Sequence, residues 1–167
     1  VVSMSVFRHC RAESEERAAY LKMRRAVAGL ADDASDDEEA PAGELSQERD
    51  DEMSAADNLI LTITAGGAGK LRSCHDDPVR GRGGQGVAAM DKNMRGGALV
   101  ASFPVEMGDQ IMLATSKGQS IRVPVDGISF RSRSAGGVRV FNTGKGEEVV
   151  SVAWIAEQDE DEVGSEE

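Results

Sequence analysis

A chain of 167 residues, 40% of them hydrophobic, is long enough to bury a core, and with only two cysteines, Cys10 and Cys74, it is not a disulfide scaffold. No apolar run nears the roughly 20 residues of a membrane-spanning helix, and the N-terminus lacks the basic, apolar and cleavage-site order of a signal peptide, so a cytoplasmic protein without a membrane partner is expected. The net charge of −11 is uneven, with −8 over residues 1–57, +4 over 58–156 and −7 over 157–167, so the acidic total does not exclude a polyanionic partner for the basic middle.

Val1-Val2-Ser3-Met4-Ser5-Val6-Phe7 is β-branched and alternating, which predicts a strand within residues 1–11. Residues 12–30 turn helical, with Ala18, Leu21, Val27 and Leu30 sharing a face, acids in the first turn and bases near the end. Residues 31–57 are dense in Asp and Glu and poor in large apolar groups, as is the tail 157–167; neither buries enough surface to offset its ordering entropy, so both are expected to be disordered. A flexible acidic tail beside a basic surface is further expected to compete with an anionic ligand for it.

The middle repeats itself. "ILTITAGGAGKLRSCHDDPVRGRGGQGV" at 60–87 lies over "IMLATSKGQSIRVPVDGISFRSRSAGGV" at 111–138 at a constant offset of 51, and after one deletion "LVASF" at 99–103 lies over "VVSVA" at 149–153. A period near 50 with about four short β runs predicts an all-β protein of propeller-like blades of short antiparallel strands, one at 58–107 and one at 108–156. The opening "VVSM" matches "VVSV" at 149–152, so residues 1–11 are expected to form the last strand of a preceding blade.

GRGGQG at 81–86 matches SRSAGG at 132–137, and neither opens a helix as a phosphate-cradling loop of an enzyme does. The cations Lys70, Arg72, Arg80, Arg82, Arg95, Arg131, Arg133 and Arg139 cluster at or near these repeated corners and are expected to form a phosphate track. The aromatics Phe103, Phe130, Phe141 and Trp154 do not interleave with arginines as on a single-strand stacking platform, so duplex is the expected target, and Phe103 and Trp154 read as core. His75 with Asp76 and Asp77 lacks a nucleophile and reads as a solvated turn; Tyr20 reads as packing. The pairs His9-Cys10 and Cys74-His75 lack metal-ligand spacing, so free thiols and no metal site are expected.

"ILTITAGGAGK", "GRGGQGV", "QIMLATSKGQSIRVPV" and "RSRSAGGVRV", in this order and spacing, resemble the C-terminal domain of the DNA gyrase A subunit, over roughly residues 58–156. The resemblance implies a partial β-pinwheel, a disc of propeller-like blades whose basic rim wraps duplex DNA in support of ATP-dependent negative supercoiling. It further implies partnership with the gyrase B subunit, together with the rest of the A subunit, in an A2B2 complex. Catalytic residues, ATP and Mg belong on this view to other domains of that topoisomerase, with no cofactor in this chain. The heptapeptide QRRGGKG of the family's first blade is absent here, which keeps the equivalent domain of topoisomerase IV as an alternative. A propeller-like protein interaction platform without DNA binding is the other.

Overall fold

A computed structural model describes residues 1–7, 10–29, 44–91 and 96–156. Among the described residues seven strands form two antiparallel sheets: β1 (Leu59–Thr64), β2 (Ala68–Ser73), β3 (Leu99–Val105) and β6 (Val138–Arg139) in the order β3-β1-β2-β6, and β4 (Gln110–Thr115), β5 (Ser120–Pro124) and β7 (Val149–Ile155) in the order β5-β4-β7. The expected all-β blade architecture is therefore present. β1 aligns with β4, β2 with β5, and the 3-10 turn Cys74–Asp76 with Val125–Gly127, all at the offset of 51. β3 and β7 stand at an offset of 50, and a register irregularity recurs at the same place, between Ile63 and Thr64 in one sheet and between Ala114 and Thr115 in the other.

The two repeats do not close separately. β6 comes from the second repeat and pairs with β2 of the first, Ala68 opposite Arg139 and Gly69 opposite Val138. Leading into it, Leu71 N donates to Ser129 O at 3.0 Å and Arg131 N donates to Leu71 O at 2.8 Å. The expected division at 107 and 108 therefore describes the two hairpins but not the sheets, because residues 129–141 of the second unit finish the first. One apolar core runs beneath both, with Leu61, Ile63 and Leu71 meeting Ile111, Leu113 and Val125. The approach of β6 is close enough to require glycine: a Cβ on Gly137 would lie 2.7 Å from Gly69 O and 2.9 Å from Gly69 N.

Among the described residues before β1 are two helices, α1 (Ser14–Val27) and α2 (Gln47–Ala56). α1 lies inside the span expected to be helical, and Glu16 closes a capping box at its start, its Oε2 accepting from Glu13 N at 2.8 Å. α2 corrects the expectation of disorder across 31–57. Ser46 caps it, accepting from Arg49 N at 3.3 Å, and Met53, fully buried, gives an otherwise polar segment something to bury. Arg49 then fastens α2 to α1, its Nε 2.8 Å from Glu16 Oε1. Residues 30–43 and the tail 157–167 lie outside the described residues.

Val1–Phe7 is not a strand, against expectation. It lies beside β3 with Ser3 Oγ donating to Ser102 O at 2.5 Å, while Val1, Met4 and Val6 remain exposed. A strand needs a ladder partner, and alternating β-branched residues alone do not supply one.

The close approach of Gly137 yields a test. Gly137→Ala is expected to lower the stability of the chain by about 1–3 kcal/mol, because backbone rather than a movable side chain blocks the new methyl. Gly81→Ala, with nothing within 4 Å of its Cβ position, is expected to leave the thermal midpoint nearly unchanged in the same melts.

Candidate nucleic-acid interface

The repeated corners are built by different means, and this separates the cations that the sequence places together. Lys70 is fully buried in β2 and points its ammonium at the second corner: Nζ donates to Ser132 O at 2.9 Å, Arg133 O at 2.6 Å and Ala135 O at 2.7 Å. Three ammonium donors meet three carbonyls in the junction, of which Ser132 O also accepts from Ala135 N at 3.2 Å. Lys70 is thus a fastener, not a surface cation. Arg72 is also buried, its Nη1 2.5 Å from Asp77 Oδ2. Both were expected on the phosphate track, and burial takes both off it.

Arg133 is half-buried and ties three segments: its backbone N donates to Asp76 Oδ2 at 2.5 Å, Nε to Asp76 O at 3.2 Å and Nη1 to Ala88 O at 3.0 Å. The last of these bonds sets the second corner beside the end of the first. Arg131 is half-buried and Arg139 exposed, its Nη1 on Asn142 Oδ1 at 2.9 Å. Arg80 and Arg82 are exposed, on a glycine-rich loop around a shallow concavity of about 400 Å³. Positive φ values at Gly83 and Gly86 turn that loop. Arg95 lies outside the described residues.

Two expectations about neighbouring groups are corrected. His75, Asp76 and Asp77 form a structural junction rather than a solvated turn. His75 is buried with its Nε2 2.9 Å from Met53 O and its ring edge-on to Tyr20 at 5.1 Å, while Asp76 and Asp77 hold Arg133 and Arg72. Trp154 is 56% exposed rather than core, with Nε1 donating to Asp109 Oδ2 at 2.7 Å. Phe103 packs against the core as expected.

Asp57, Cys74 and His75 bring a carboxylate, a thiol and an imidazole within 4.8 Å of one another, the kind of set that can hold a metal ion. Here the carboxylate is occupied by protein donors: Tyr20 Oη at 3.0 Å and Ser73 Oγ at 2.6 Å, with Arg24 Nε at 3.5 Å. Burial pushes the Cys74 thiol up, away from thiolate. The cluster therefore works as a hydrogen-bonded hub that seats α1 and α2 on the first sheet.

Comparison with known proteins fixes what this arrangement belongs to. The family model described as the DNA gyrase C-terminal domain, beta-propeller, matches residues 58–105 and 109–153. This chain belongs to that family. The DNA gyrase A subunit of Granulibacter bethesdensis is 44% identical across 94% of the chain, and that of Rickettsia bellii is 35% identical across 96%. The chain spans 18% of the length of each. Among solved structures, a DNA gyrase A C-terminal domain matches with a TM-score of 0.56 at 22% identity, over 60% of this chain and 34% of that one. The C-terminal domain of a DNA topoisomerase IV matches with 0.55 at 23% identity, over 62% of this chain and 32% of that one. At these identities the two structures show a shared fold.

Within this gyrase-family fold, comparison of the repeats overlooks exposed cations that occur in one repeat only. Lys117 and Arg122 are exposed on the second sheet, where the offset of 51 places Gly66 and Leu71 in the first. Exposed Lys145 accepts at its backbone O from Lys117 Nζ at 2.7 Å. Turn geometry around Gly118 would have singled out Lys117 without a repeat partner. No helix among the described residues is long and apolar enough to cross a membrane.

Burial lowers the Lys70 pKa from 10.5 to about 8, with Arg72 nearby adding to the shift, so the ammonium is still charged at neutral pH. Between about pH 8 and 10.5 the unfolded chain binds more protons at this site than the folded chain, so the contribution of Lys70 to stability is smallest below pH 8 and grows through that window. Lys70→Met is expected to destabilise the fold by about 1–3 kcal/mol at pH 7 by leaving carbonyls unsatisfied. Denaturant melts of both proteins from pH 7 to 10.5 check the sign: the gap between wild type and Lys70→Met should widen with pH.

Proposed function

We propose that this chain is a duplex-DNA binding and wrapping module of a gyrase A subunit, holding the phosphate backbone along its arginine-glycine corners. The observation that carries the reading is the junction at Arg133 Nη1 and Ala88 O, 3.0 Å, which puts the corner bearing exposed Arg80 and Arg82 beside the corner bearing exposed Arg139. Phosphate contacts need surface cations and backbone donors at a turn, without base-reading groups, and this is what the two corners offer. Trp154 is the exposed aromatic among the described residues, and its indole N–H is engaged by Asp109, so a stacking platform for single strands has no support.

On this reading the module bends duplex around a basic rim and presents a second segment to a cleavage core elsewhere in an enzyme that supercoils DNA at the expense of ATP. The partners are then the gyrase B subunit, together with the remainder of the A subunit, while ATP and Mg act outside this chain. A cytoplasmic location goes with that role. Support for the assignment to gyrase comes from the family match and from relatives that are gyrase A subunits over nearly the whole chain.

The test uses the full chain, random-sequence duplex and a salt titration. The double variant Arg80→Ala with Arg82→Ala is expected to bind more weakly at low salt and to lower the log–log salt slope by about 1.8, at about 0.9 for each phosphate no longer neutralised. An unchanged slope with unchanged affinity would show that the glycine-rich corner is structural only. Arg133 is left intact in this test, because its bonds to Asp76 and Ala88 would confuse removal of a phosphate partner with displacement of the corner.

A further inference from the structure

The acidic balance of residues 1–57 hides two cations that the fold brings beside the first arginine corner. A concavity of about 460 Å³ is lined by Arg11, Glu13, Glu16 and Arg17 at the entry to α1, by Arg49 of α2 and by Val79. Val79 is 80% exposed, and the residue that follows it is Arg80, exposed on the glycine-rich loop.

The charges around this concavity are not equivalent. Glu13 and Glu16 close the capping box of α1. Glu16 also accepts from Arg49, Nε at 2.8 Å and Nη2 at 3.1 Å, and that guanidinium holds its carboxyl below the usual carboxylate range. Arg49 further donates from Nη1 to Glu52 Oε2 at 2.5 Å and from Nη2 to Arg11 O. Both carboxylates and the Arg49 guanidinium are thus engaged within the protein. Arg11, exposed, and Arg17, half-buried, are not: among the described residues no hydrogen bond or ion pair engages either guanidinium. By bonding the carbonyl of Arg11 and the carboxylate of Glu16, Arg49 also fixes the stretch of backbone that carries both of these cations, so little order is left to be imposed when they meet a ligand.

We propose that Arg11 and Arg17 bind backbone phosphates of duplex DNA, carrying the contact from the first arginine corner onto the helix pair. The proposal rests on the DNA-binding reading above and extends it to residues outside the repeats. Duplex carries a charge about every 1.7 Å of its axis, so DNA seated on Arg80 and Arg82 has further phosphates for cations beside them. The planar guanidinium fork suits them, since it can hold two phosphate oxygens at once. On α2 the exposed residues around Arg49 include Glu48, Asp51 and Glu52, which repel phosphates, so the contact ends at α1. The helix pair is fastened to the first sheet through Asp57 and His75, and it thereby guides the direction in which duplex crosses the corner.

The full chain, random-sequence duplex and a salt titration test this. Arg11→Ala with Arg17→Ala is expected to weaken binding at low salt and to lower the log–log salt slope by about 1.8, at about 0.9 for each phosphate released. Arg11→Lys with Arg17→Lys keeps both charges and is expected to hold the wild-type slope. Thermal midpoints of both double variants should match wild type, since neither guanidinium bonds within the protein. Should the alanine pair melt early, Arg11→Ala alone, which lies outside α1, must lower the slope by about 0.9 at an unchanged midpoint. A slope that falls for Arg80→Ala with Arg82→Ala but not for the Arg11 and Arg17 alanine pair overturns this proposal and leaves the DNA-binding reading standing. A loss that the lysine pair does not restore assigns the two arginines to structure and overturns it as well. A wild-type chain that binds no duplex overturns both.

Discussion

A lysine ammonium under three backbone carbonyls holds the two repeats in one body. Burying a charge is costly unless its donors are all used, and Lys70 uses its three on the carbonyls of Ser132, Arg133 and Ala135. The rest of the architecture depends on that contact. It positions β6 on β2, closes the four-stranded sheet, and lets Val125 and Ile128 reach the core of the first sheet. It also sets the second arginine corner against the first. The cation that best explains the surface is therefore one that the surface does not show.

Division of labour among like charges follows from depth. Lys70 and Arg72 sit in β2, where neighbours on both sides exclude water, and each has its anionic or carbonyl partners within the protein. Arg133 is intermediate, with bonds to Asp76 and Ala88 that fix it as a brace. Arg80, Arg82 and Arg139 are left to face solvent. A run of equivalent positions in two repeats can thus carry fastening, bracing and ligand-facing roles, depending on how far each lies from the sheet. The helices follow the same logic, since Asp57 gathers Tyr20, Arg24 and Ser73 and fixes α1 and α2 to the blade.

The blades were legible because a repeat exposes itself to comparison: the offset of 51 and the later shift to 50 located both blades, though not the 3-10 turns within them. Strand exchange was not legible, because the offset says that two corners are alike and nothing about which sheet each joins. Burial of Lys70 was hidden for the same reason, since its partners are backbone atoms of residues 132, 133 and 135, which no side-chain pattern records. α2 was hidden by composition: Ser46 and Met53 carry its cap and anchor, and the surrounding acids outweigh them in any average. Val1–Phe7 failed in the other direction, its alternation being sound and its partner missing. Trp154 shows that size and hydrophobicity do not decide burial at the end of a strand, where an indole can lie on the surface with its N–H on Asp109.

The pairing of Gly69 with Val138 also orders events in time. A polypeptide leaves the ribosome from its N-terminus, so β1, β2 and β3 emerge while the strand that finishes their sheet is still unmade. Until residues 129–141 follow, β2 presents an unpaired edge and Lys70 has none of its carbonyl partners. Closure of the first sheet must wait for a contact distant in sequence, which makes its folding slow relative to the hairpins that compose it. A nascent chain stalled before Ser129 would hold such an edge open, which makes this interval the one in which the domain is most exposed to pairing with the wrong strand.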